Sequence, residues 1–102
     1  MESVCLYRAI SLAESEDISR CGRLRSVEGS LEGKWFAENR RDADAWGLLL
    51  YGTAPFRVVW VLIPGRIAAS FFRLSRLDNI GPARFAVSDS LESAVIDQVF
   101  DG

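Results

Sequence analysis

Residues 56–63 read Phe-Arg-Val-Val-Trp-Val-Leu-Ile, the most strand-like run in the chain. Alternation sends Phe56, Val58, Trp60 and Leu62 to one side, and Arg57, Val59, Val61 and Ile63 to the other. Arg57 aside, both sides are apolar. A half-solvated strand would carry polar residues along one side, so the pattern predicts a central strand buried on both faces. Pro55 opens it and Pro64-Gly65 closes it, because proline lacks the N–H that a ladder needs.

Upstream, Ala43, Trp46, Gly47 and Leu50 recur at i, i+3, i+4 and i+7, the stripe of an amphipathic helix. Asn39 is placed to cap it, with Asp42 at the matching box position, and the helix should run to about Tyr51 and stop at Gly52. Residues 34–38 (KWFAE) predict a short strand. Residues 27–33 (VEGSLEG) read as a loop and residues 23–26 as a further short strand. Ser11 and Glu14 form a capping box for an acidic helix reaching about Arg20, with Gly22 set to end it in the left-handed conformation. Residues 4–10 (VCLYRAI) predict the first strand.

Downstream the pattern is less decisive. Residues 66–77 favour a helical turn and then an extended segment. Residues 78–82 (DNIGP) are a turn cluster, residues 83–87 (ARFAV) a strand, and residues 88–90 a turn. Residues 94–100 (AVIDQVF) fit either a last strand or a short helix. Two helices in the first half and strands predominating later predict a small α+β domain with a mostly antiparallel sheet. All 102 residues read as one domain, a common domain size.

Composition narrows the chemistry. Hydrophobic residues make up 49% of the chain, which is enough for a core without staples. The net charge of −2 lacks the basic excess of a general nucleic-acid binder. The longest apolar run, residues 58–64, is far short of the ~20 residues of a membrane helix. No nucleic-acid or membrane partner is therefore expected, and the chain reads as soluble and cytoplasmic. There is no histidine, which removes Ser-His-Asp and Cys-His devices. Two cysteines, Cys5 and Cys21, are too few and too far apart for a zinc site, and read as buried, reduced and structural.

Three places could carry chemistry. Arg8 shares a strand face with Leu6 and Ile10, so it must snorkel, pair with a carboxylate, or serve as an anion fork in a cleft. Trp35 and Phe36 point to opposite sides of their strand, so one can pack the core while the other lines a cleft. An aromatic face beside an arginine suits a flat, charged ligand such as a nucleotide; plain core packing is the alternative. Glu32, Glu38 and Glu92 are carboxylates without a histidine partner, and acid–base work would fall to one of them.

Tyr7-Arg8-Ala9-Ile10-Ser11, a short helix, the Gly33-Lys34-Trp35-Phe36-Ala37 segment and a helix bearing Trp46-Gly47 occur in an order that resembles small ADP-ribosyltransferase-like domains. Such domains occur as effector or toxin modules of bacterial conflict systems. The resemblance implies NAD as substrate, with Arg8 in the place of the NAD-holding residue of the first strand. It puts Trp35 and Phe36 where the nicotinamide side of the pocket is braced, although Ala37 stands where active members often carry serine or threonine. It also implies a catalytic glutamate on a late strand, but the Gly81-Pro82-Ala83-Arg84-Phe85 stretch offers Arg84 there. Glu92 or Glu38 would have to substitute. The resemblance implies an ADP-ribosyltransferase or NAD glycohydrolase acting on a protein target or met by a neutralising partner protein. The alternative is a non-catalytic protein-binding module of the same architecture, since tryptophan and arginine are common interface anchors.

Overall fold

A computed structural model describes residues 2–24 and 33–101, with the side chains of Ser88, Asp89 and Glu92 outside that description. Among the described residues, six strands form one sheet in the order β4-β5-β2-β1-β3-β6, every pairing antiparallel. The strands are β1 (Ser3–Ser11), β2 (Lys34–Ala37), β3 (Phe56–Pro64), β4 (Phe72–Leu77), β5 (Gly81–Ala86) and β6 (Val95–Asp101). The helices are α1 (Leu12–Cys21), α2 (Arg40–Tyr51) and the single turn α3 (Gly65–Ala68). A 3-10 helix, Ser88–Ser93, precedes β6. The α+β expectation holds.

The interior strand β3 explains the two-sided core. Val59, Val61 and Ile63 join Leu6, Ile10 and Phe36 under α1, α3 and the 3-10 helix, through Ile18, Ala68 and Leu91. On the other face Val58 joins Ala37 and Ala83 under α2, through Ala43 and Trp46. Fully burying a Phe, Leu or Val contributes about 1.5–3 kcal/mol each, so both faces are needed to hold so small a sheet. Gly47 lets α2 lie close: an added methyl there would fall on the Phe56 ring.

Local signals acted as read at both helix starts. The Ser11 hydroxyl accepts from the Glu14 N–H at 3.1 Å, and Asn39 Oδ1 accepts from the Asp42 N–H at 2.8 Å. Gly22 ends α1 with φ of 72°. The Glu14 carboxylate, however, does not close the box. It turns instead to Arg8 and Lys34.

Several expectations need correcting. Cys5, near the start of β1, and Cys21 are exposed rather than buried; Cys21 closes α1 at the surface, where its thiol lies 3.8 Å from Asp17 Oδ1. Leu50 is 64% exposed although it is in helical phase with Trp46, because it faces an open hollow and not the packed core. β5 starts at Gly81, two residues before the predicted start, and the predicted turn after it is the 3-10 helix. The two-way reading of residues 94–100 resolves as a strand. The strand predicted at residues 23–26 is not formed at Arg23 or Leu24. Its remainder, the predicted loop up to residue 32, and Glu32 lie outside the described residues.

Candidate functional site

The sheet is tightly laced on one side of β1 and open on the other. Every residue of β1 from Ser3 to Ser11 pairs with β3. Towards β2 the register holds at one pair, Tyr7 with Ala37. The next pair in an antiparallel ladder would join Ala9 to Trp35, two residues along each strand. There the strands diverge, and the Arg8 guanidinium bridges them instead, its Nη1 donating to the Trp35 carbonyl at 3.2 Å. The backbone acceptor is satisfied by a side chain, so the gap can persist without an orphaned carbonyl.

A cleft of about 310 Å³ occupies this opening. Tyr7, Arg8 and Ala9 of β1 line it, with Trp35, Phe36 and Ala37 of β2, Trp46 and Leu50 of α2, and Leu77 and Asp78 at the end of β4. The volume is at the small end of the usual range for ligand pockets, about 300–1,000 Å³. It suits one ring with part of its sugar.

Two aromatic rows lead into it. Trp35, Phe85 and Phe72 are register partners across β2, β5 and β4, with Trp35 to Phe85 ring centres 5.0 Å apart. Tyr7, Trp60 and Phe100 stack across β1, β3 and β6, at 6.1 and 6.4 Å. Arg40 lies 3.9 Å over the far ring, Phe100. Such pairs are the cross-strand contacts that stabilise sheets.

Charge at the cleft is set by a three-residue cluster. Glu14 takes Arg8 through both oxygens, at 3.1 and 3.2 Å, and Lys34 Nζ at 3.2 Å. Burial alone would raise the Glu14 carboxyl; the hydrogen bonds and charges of Arg8, then Lys34, outweigh it and leave it lowered. Lys34 is 7% exposed on its side chain, an unusual depth for lysine, and this shared carboxylate permits it. Among the described residues the cluster holds two cations on one anion, and Asp78 brings a negative charge to another part of the lining. Tyr51 sits within reach of the same field: burial raises its hydroxyl, Arg8 opposes that, and Glu14 adds to it.

The structure brings Arg8 and Trp35 together in one hollow, as the nucleotide reading requires. Phe36 contributes to the lining, but its side chain is 1% exposed and packs the opposite core beside Leu6 and Ile10. Glu38 is not a lining residue. It holds Arg73 at 2.6 Å and Arg84 at 2.8 Å, and the Arg73 hydrogen bond is the main reason its carboxyl falls to about 2. The Glu92 backbone lies in the 3-10 helix, and its side chain is outside the description. Among the described residues no group of three or more His, Cys, Asp or Glu gathers at metal-binding spacing, and no helix is long and apolar enough to cross a membrane.

Sequence reasoning missed Tyr7, Trp46 and Asp78 as site residues. Asp78 and Asn79 both take positive φ, 55° and 60°, in the β4–β5 turn, and Asp78 Oδ2 accepts the Trp46 indole N–H at 3.1 Å. The turn itself was legible, but its meeting with α2, 32 residues upstream at Trp46, has no local signal. No family model, curated protein or solved structure matches the chain.

Proposed function

We propose that the β1–β2 cleft binds the nicotinamide end of NAD, and that the chain is an ADP-ribosyltransferase-like or NAD glycohydrolase-like effector domain of a bacterial conflict system. The observation that carries this is that Arg8 and Trp35 share one ring-sized hollow, with the Arg8 guanidinium on one part of its lining and the Asp78 carboxylate on another. A nucleotide phosphate would lie against Arg8, and the flat ring against the aromatic walls.

The chemistry would break the bond between the ribose C1′ and the pyridinium nitrogen. The bonding pair leaves with the nicotinamide, whose ring becomes neutral, and C1′ becomes cationic until water or a protein nucleophile adds. A nearby carboxylate lowers that barrier by facing the developing positive charge. Among the described residues Asp78 is the carboxylate that lines the cleft, and Glu92 stays a candidate alongside it. Glu38, held by two arginines away from the lining, does not fit this role.

The test is release of free nicotinamide from NAD by the purified protein, with thermal unfolding measured at rising NAD. Release, lost in Arg8→Ala and in one of Asp78→Ala or Glu92→Ala, is the expected result. Saturating NAD at about 100-fold over Kd should add roughly 2.7 kcal/mol to stability. The absence of both release and a rise in Tm would sink the reading. A rise without release favours the non-catalytic module. That second reading draws on exposed apolar side chains: Leu50 in the cleft lining, and Leu48, Leu49 and Phe72, each at least 60% exposed.

A further inference from the structure

A turn residue beside an aromatic cleft explains more than the turn needs. Asp78 has left-handed backbone geometry and accepts the Trp46 indole N–H. Asparagine would meet both demands, since it tolerates that geometry and its carbonyl oxygen accepts equally well. The negative charge is left over. Among the described residues, the second Asp78 oxygen takes no partner, while Trp46, at 8% exposure, is a firm anchor for the first.

The walls that accompany this charge are Tyr7, Trp35 and Trp46. Aromatic faces carry negative quadrupole density and attract cations, as does a carboxylate. Arg8, tied to Glu14 and sharing it with Lys34, brings the opposite charge to the same cleft. The cleft is thus polarised, with a cation-attracting part at Asp78 and an anion-attracting part at Arg8.

We infer that Asp78, set among Tyr7, Trp35 and Trp46, makes the cleft selective for a planar cation, so that it takes the oxidised, positively charged pyridinium nucleotide and discriminates against the reduced, neutral one. This rests on the NAD reading and adds a specificity-determining residue to it. Reduction removes the ring's formal charge, and with it both the attraction to Asp78 and the cation–π contribution. The phosphate and its contact with the Arg8 cluster are the same in the two forms, so the difference between them isolates the ring's charge.

The experiment is calorimetric titration of the protein with nicotinamide mononucleotide in its oxidised and reduced forms, repeated with Asp78→Asn. The wild-type protein should bind the oxidised form about tenfold more tightly. Asp78→Asn should bring the two towards parity by weakening the oxidised form and sparing the reduced one. Equal affinities in the wild-type protein, or an unchanged ratio in Asp78→Asn, overturn the inference and leave the cleft as an NAD site. Binding of neither form by folded wild-type protein overturns both. The wild-type ratio decides the matter even if the variant folds poorly.

Discussion

Glu14 and Glu38 are each held by two cations, yet they sit in different surroundings. Glu38 joins β2 to β4 and β5 through Arg73 and Arg84, and Arg73 is 48% exposed on its side chain. Its charge is shared with solvent, and the ladder beneath it is continuous from β2 to β5. Glu14 joins α1 to β1 and β2, at the place where the β1–β2 ladder stops. Lys34 there is almost out of water. The comparison teaches that one ion-pair pattern can brace a finished sheet or prop open an unfinished one. Exposed pairs contribute little. Pairs at depth matter more, because removing one partner strands a charge in a poorly solvated place.

The largest expected effect comes from breaking the Glu14 cluster. Glu14→Gln leaves Arg8 and Lys34 facing each other without their anion, and should lower the unfolding free energy by about 2–3 kcal/mol in urea denaturation. A loss within the range of a surface pair, under about 1 kcal/mol, would erase the contrast with Glu38.

An intermediate effect should appear in acid. The Glu38 carboxyl is depressed from its ordinary 4.5 to about 2, so the folded state favours its charged form. Its contribution is complete above about 4.5 and is lost as pH falls towards 2. Glu14 is shifted in the same direction and adds to the same slope. Glu38→Gln should flatten the fall in Tm between those pH values while changing Tm at pH 7 less than Glu14→Gln does. An unchanged acid slope in Glu38→Gln would show that Glu38 contributes nothing to it.

The smallest effect belongs to Arg73→Ala. Arg84 still holds Glu38 at 2.8 Å, so the neutral-pH Tm should hardly move. The acid loss should be smaller and should be complete at a higher pH, because the Arg73 hydrogen bond is the main cause of the depression and without it the Glu38 carboxyl moves back towards 4.5. A large loss of Tm at pH 7 would place Arg73 with the buried cations rather than the exposed ones.

The fold was largely legible because its signals are local. The two caps at Ser11 and Asn39, the stop at Gly22, and the two-faced apolar run of β3 act over a few residues. The site was legible in part. Arg8 stood out as a charge on an apolar strand, and Trp35 as one of two rings that had to diverge. Their meeting depends on β2 lying beside β1. The weak places were those where exposure depends on distant elements: the two cysteines, Leu50, and Asp78.

By itself the sequence determined the element types, the two-sided core and the absence of histidine chemistry, since periodicity, capping and composition are properties of short segments or of the whole inventory. Only the tertiary structure decided that β1 and β2 part after one register pair, that Glu14 and the Trp35 carbonyl share Arg8, and that Asp78 reaches Trp46. Those contacts join residues between six and 32 positions apart, and their energies exist only once the sheet order has brought them within hydrogen-bond reach.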